Sequence, residues 1–286
     1  MYTTGSYSSI FSRIPSWVFP FVLFLFIHFM SASAQTHSPD TLIARLGYRQ
    51  CIVTARQFEG DSMVNLGRHI QTIGPNGRTQ TYTTYDKNGK MWSRLVYDYD
   101  TLNHMEIQHD YDKNGRLEYV HLDVFGSNFH LRYQIRSEDG DTLSSGKWVR
   151  NIHGRDSLFY QFGKLNTRYR YNALGDLVEK KKYGPDGKSN GTWRYVVKRK
   201  GNLIETWEND NGTLYLTEKR SETPEKTVDY VLKTSTGYLY GIVLHSEKGG
   251  ARTLYRDKDG LVKAIVYETA KGKVHARIDF EYVKFP

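Results

Sequence analysis

The feature that most limits what this chain can fold into is a regular beat of turns. Glycine follows a turn-prone neighbour at Asn76-Gly77, Asn88-Gly89, Asn114-Gly115, Asp139-Gly140, Asp186-Gly187, Asn211-Gly212 and Asp259-Gly260. Such pairs close hairpins: Asn and Asp open the turn through a side-chain oxygen, and Gly accepts the left-handed backbone that ends it. Gly77 and Gly89 stand 12 residues apart, as do Gly175 and Gly187, and Gly260 and Gly272, which leaves room for one strand between turns. A longer interval of 25 or 26 residues links Gly89 to Gly115, Gly115 to Gly140, Gly175 to Gly201 and Gly187 to Gly212. Two strands and two turns make one unit, and units of that size bury their apolar faces by stacking on their neighbours.

The segments between turns alternate as half-buried strands do. Val274, Ala276, Ile278, Phe280 and Tyr282 share one face, and His275, Arg277, Asp279 and Glu281 the other. Trp193, Tyr195 and Val197 alternate with Arg194 and Lys198, and Tyr169 and Tyr171 with Arg168 and Arg170. These residue types suit a pleated surface. The expected fold is all-β: an antiparallel β-hairpin repeat array forming one long twisted or wound meander sheet. A short helix is expected between Pro39 and Tyr48, and a loop from Lys219 to Lys226, where apolar content vanishes. Residues 35–73 are the least repetitive stretch and read as a cap or tether, with the repeat domain from 74 to 286.

Ahead of these lies an export signal. Arg13 precedes an apolar run from Trp17 to Met30, and Ser31-Ala32-Ser33-Ala34 closes it with a small-residue cleavage site, placing the cut after Ala34. The run is shorter than a bilayer span requires, so residues 1–34 read as a signal peptide, and the mature chain is expected in the periplasm or outside the cell without stable membrane insertion. Cys51, the single cysteine, has no partner for an intramolecular disulfide and reads as a small buried apolar residue. Forty Lys and Arg against 31 Asp and Glu favour an anionic partner. For an exported chain that means an anionic polysaccharide or an envelope protein rather than nucleic acid. Nothing in the sequence sets the oligomeric state.

Tyr85-Asp86-Lys87-Asn88-Gly89 and Tyr111-Asp112-Lys113-Asn114-Gly115-Arg116-Leu117 resemble the tyrosine-aspartate (YD) repeat, also met in Rhs-type proteins. Weaker copies run from Tyr171 through Gly175 and from Arg256-Asp257 to Gly260, and the turn at Gly187 keeps the glycine but loses the aspartate. The resemblance implies a β-rich body outside the cytoplasm, which in large relatives winds into a shell that encloses or carries a toxin domain. This chain carries no distinct effector segment and reads as too short for a closed shell, so an accessory role beside toxin-delivery proteins is the form that resemblance takes here.

Site chemistry is sparse. Asp110, Asp112 and Asn114 before Gly115 match the first half of a calcium loop, but its twelfth position is His121 instead of Glu. The histidines, among them His104, His109, His121, His130 and His153, never adopt metal-ligand spacing, and neither a serine-nucleophile motif nor a phosphate loop occurs, so no cofactor is expected. Trp92, Trp148, Trp193 and Trp207 supply aromatic surface for stacking on sugars or for packing within the sheet. The sequence points to an exported, non-catalytic binding or structural surface of a bacterial envelope, with an enzyme acting on cell-surface carbohydrate as the alternative.

Overall fold

The computed structural model describes residues 39–59, 62–210, 212–239 and 242–284. The signal segment and its cleavage site lie outside these residues. Among the described residues one short helix, α1 (Pro39–Arg45), precedes twenty strands. The first fifteen are β1 (Gln50–Glu59), β2 (Ser62–Ile73), β3 (Thr79–Asp86), β4 (Met91–Asp100), β5 (Met105–Tyr111), β6 (Leu117–Phe125), β7 (Phe129–Arg136), β8 (Thr142–Arg150), β9 (Asp156–Gln161), β10 (Lys164–Tyr171), β11 (Leu177–Tyr183), β12 (Ser189–Lys200), β13 (Leu203–Asp210), β14 (Thr213–Glu222) and β15 (Lys226–Tyr230). A separate hairpin, β16 (Ser235–Leu239) with β17 (Ile242–Ser246), is inserted before β18 (Ala251–Arg256), β19 (Val262–Glu268) and β20 (Val274–Val283).

The hairpin array is as expected; its closure is not. Every strand from β1 to β15 pairs antiparallel with the next, β15 pairs with β18, and β20 returns to pair with β1. The meander is therefore a closed 18-stranded barrel rather than an open or wound sheet. Length did not forbid this, because each strand needs only five to twelve residues and each turn few more. β1 and β2 fall within the stretch read as a cap or tether, and both are full members of the barrel. The segment read as a loop is mostly strand: β14 runs to Glu222, and only residues 223–225 turn.

The turns take the shape their chemistry dictates. In eight of them, starting at Gly74, Asp86, Asp112, Asn151, Asn172, Gly184, Asp257 and Thr269, the first residue's amide donates to the carbonyl four residues on, and the glycine amide donates back to the first carbonyl. Asp86 accepts from the amides of Asn88 and Lys90, Asp112 from Asn114 and Arg116, and Asp257 from Asp259 and Leu261. The glycine then sits near φ +80°, as at Gly89 and Gly115, where a Cβ would be strained.

Cross-strand pairing divides each strand's side chains between two faces. The face holding Cys51, His69, Gln108, Asp110, His121, Asp123, His130, Gln134, Ile265 and Ile278 is the buried one, hence the concave side of the barrel. Strands pack against their neighbours in the sheet, so this burial comes from side chains crowding along the inner surface. Around the seam it is aliphatic: Cys51, Val53, Ala55, Ile265, Tyr267, Ala276 and Ile278 form one core cluster. α1 sits over that seam, with Ile43 against Ile73 and Leu261, and Tyr48 against Tyr282 at 5.7 Å between rings. On the outside, Arg56 and Asp279 bridge β1 and β20 at 2.6 Å. No helix among the described residues is long and apolar enough to cross a membrane.

Candidate functional site

Away from the seam the inner face turns polar. β5, β6 and β7 place Gln108 and Asp110, His121 and Asp123, and His130, Arg132 and Gln134 on one side of three adjacent strands. His121 Nε2 lies 3.2 Å from Asp110 Oδ2, and His130 Nε2 2.5 Å from Asp123 Oδ1. A carboxylate can only accept, so the ring nitrogens carry the hydrogens. Gln108 Nε2 donates to Asp110 Oδ1 at 2.6 Å, and Arg132 Nε stands 3.8 Å from Asp123 Oδ2. Each acid thus already holds a histidine. Buried beside them, His121 Nδ1 and Gln134 Nε2 have no hydrogen-bond partner among the described residues.

An aromatic row borders this network. Phe125, His130, Trp148 and Phe159 are successive cross-strand neighbours on β6 to β9, with ring centroids 4.6, 5.2 and 4.8 Å apart. Trp148 folds over Gly146 and Trp193 over Gly191, two residues back on its own strand, leaving no room for a side chain there. A third polar knot lies on β14, β15 and β18, where Asp229 takes hydrogen bonds from Arg220 Nε at 2.6 Å and from Arg252. Burial alone would raise the Asp229 carboxyl; Arg252 and Arg220 outweigh it and hold the group below the ordinary carboxylate range. On β2, burial pushes the His69 imidazole down to about 3.

The four tryptophans do not form one platform. Trp148 and Trp193 point inward, Trp207 points outward, and Trp92 is exposed at the start of β4. The calcium candidates do not converge either. Asp110 faces the barrel interior and is paired with His121, while Asp112 faces the backbone amides of its own turn. No group of three or more potential metal ligands occurs among the described residues.

The outer face holds two contrasting panels. On β5 to β9 it is largely apolar and half-buried, with Ile107, Leu122, Tyr133, Val124, Leu131, Val149 and Leu158 on neighbouring strands. On β10 to β14 it is basic. Arg168 and Lys181 are opposed across β10 and β11, Arg170 and Arg194 flank Glu179, and Lys198 and Lys219 flank Glu205. Glu179 lies within 3.8 Å of both its arginines, and Lys219 is 3.4 Å from Glu205. Trp207 lies among them, with the Lys198 ammonium 4.7 Å above its ring. A lipid-facing Arg or Lys near the bilayer midplane costs roughly 2–4 kcal/mol, so this panel belongs in water.

Of these features the sequence showed the tryptophans and the basic clusters but not the histidine-aspartate pairs. The signal was present: polar residues at alternating positions 108 and 110, 121 and 123, and 130, 132 and 134 line up only once the strand register is known.

No family model and no curated protein matches the chain. Among solved structures it is similar to a porin-like protein from Bacteroides uniformis, at 10% identity over 82% of this chain and 96% of that one, with a TM-score of 0.37. It is also similar to a protein of unknown function from Bacteroides fragilis, at 10% identity over 62% and 95% of the two chains, TM-score 0.23. A third is the immune modulator A of Aeromonas veronii, at 9% identity over 82% and 94%, TM-score 0.13. At these scores the functional reading rests on the residues of this chain alone.

Proposed function

We propose that this protein is an exported, non-catalytic β-barrel of a bacterial envelope whose outer face binds an acidic polysaccharide. The observation that carries the reading is the basic panel. Arg168, Arg170, Lys181, Arg194, Lys198 and Lys219 project from β10, β11, β12 and β14, with Glu179 on β11 and Glu205 on β13 as the carboxylates interspersed. Neighbouring strands are about 4.8 Å apart, so cations two strands apart, such as Arg170 and Arg194, recur at about 10 Å. That interval suits a linear polymer with one anionic group every second sugar. Trp207 adds an aromatic surface of the kind sugars stack upon.

The inner face supports a non-catalytic role. Its most buried acids, Asp110 and Asp123, and Asp229 beside β18, are each engaged by histidine or arginine, an arrangement that holds the wall together. Binding to immobilised polygalacturonate and to neutral dextran, at low and physiological salt, tests the reading. Retention on the acidic polymer alone, weakening with salt and reduced about tenfold in an R168A/K181A/R194A variant, is expected for exposed charges that act together. Equal retention on dextran, or a variant that binds undiminished, would refute it.

A further inference from the structure

The two ends of the barrel differ in a way the turn chemistry does not require. At the end that carries α1, three turn tips are aliphatic and almost wholly in solvent: Leu102 is 91% exposed, Ile152 95% and Leu174 77%. Sibling turns of the same backbone shape show what those positions need. Ile152 stands where the matching turns have Lys87, Lys113 and Lys258, and Leu174 where they have Asn88, Asn114 and Asp259. In both aliphatic turns the glycine and the opening Asn already do the structural work, Asn151 accepting from the amides of His153 and Arg155, and Asn172 from Asp176. Nothing in the fold asks for a Leu or an Ile there.

We propose that this rim docks on a lipid surface, with Leu102, Ile152 and Leu174 entering its apolar phase. The tips lie on the turns β4–β5, β8–β9 and β10–β11, so they are four and two strands apart along one rim, roughly 19 and 10 Å. Between them falls the polar turn Gly126-Ser127-Asn128. Isolated apolar points at such separations, all reaching the plane across one end of the barrel, match a continuous apolar phase better than a pocket on another protein. Just beneath the tips the outer wall continues apolar through Val124, Leu131 and Val149. Two carboxylates beside the tips are neutralised locally, Asp156 by Arg150 and Asp176 by Arg199. The turns of the opposite rim carry Lys87, Lys90, Lys113, Arg116, Asp139 and Lys188, with Phe162, 56% exposed, as a single aromatic tip among them.

The test is flotation of the processed chain, purified from an export host, with vesicles of phosphatidylcholine alone and with one quarter phosphatidylglycerol. Wild type is expected to float with the vesicles, and an L102S/I152S/L174N variant to lose at least tenfold in bound fraction while keeping its circular dichroism and melting temperature. With exposures of 77–95% these positions lose little native packing, and the variant is expected to fold. Absence of flotation by wild type, or undiminished flotation by the variant, would overturn the proposal. So would a wild-type dimer in light scattering that the variant converts to monomer without any vesicle binding, since the tips would then serve a second copy of this chain.

Discussion

Replacing Asp123 by Ala puts the inner wall to its hardest test. Asp123 is 1% exposed, takes a hydrogen bond from His130 Nε2 at 2.5 Å, and faces Arg132 Nε at 3.8 Å. Its partners are nearly as buried, with side-chain exposures of 6% for His130 and 14% for Arg132. Removing one member of a buried pair costs about 3–5 kcal/mol, because the remaining group is left desolvated and uncompensated. Arg132 keeps Gln108 Oε1 at 3.5 Å, which places the expected loss near the lower bound, about 3 kcal/mol. For a chain of this size that lowers the melting temperature by roughly 6–12 °C. Asp123→Asn keeps an acceptor oxygen for His130 and should lose only about 1 kcal/mol. Urea and thermal unfolding followed by tryptophan fluorescence read both variants, since Trp148 is stacked on His130 at 5.2 Å. If Asp123→Ala costs less than 1 kcal/mol, water reaches this wall and the account of a dry, self-paired inner face on β5 to β7 is wrong.

His69 should make the barrel acid-sensitive. Its folded pKa of about 3 lies below the ordinary 6.5, so the unfolded chain binds the extra proton between those values and stability falls as the pH drops from 6.5 toward 3. The slope is about 1.4 kcal/mol per pH unit from this group, and His69→Gln should flatten it in urea titrations at stepped pH. Asp229 acts lower on the scale: its depressed carboxyl contributes stability that is present above the unfolded value near 3.8 and is lost as the pH falls through the folded one. Asp229→Asn should remove that acid limb. Gly146→Val should cost about 1–3 kcal/mol, because its Cβ would meet the Trp148 ring at 2.8 Å and Phe159 at 3.1 Å; a shifted Trp emission checks the displacement.

Strands and turns were legible because their causes are local. Asp86 and Gly89 make a turn wherever they occur in this order, and the alternation of Ala276, Ile278 and Phe280 with Arg277 and Asp279 survives into the barrel as inward and outward faces. The short helix was likewise readable between Pro39 and Tyr48. Closure was not, because it depends on Gln50 meeting Val283 and Ala55 meeting Ile278, contacts between the two ends of the chain that no local pattern records. The inner wall was hidden for a second reason. A strand pattern normally identifies the buried face by its apolar residues, and β5 to β7 invert that rule: Asp110, His121 and Asp123 face inward while Ile107, Leu122 and Leu131 face out. The basic panel could be seen as clusters such as Lys180-Lys181-Lys182, yet only Lys181 of the three projects outward; Lys180 and Lys182 point to the interior beside Trp193.

Everything said of inside and outside depends on the seam between β1 and β20. In a C51A background, an I52C/E281C pair places two cysteines opposite one another on the outer face across that seam, and I52C/I70C places a pair across the β1–β2 hairpin as a control. Under mild oxidation of the purified monomer, both pairs are expected to form intramolecular disulfides at similar rates, read as a reducible mobility shift and by mass. Rapid bridging of the hairpin pair with no bridging at the seam would show that the sheet is open.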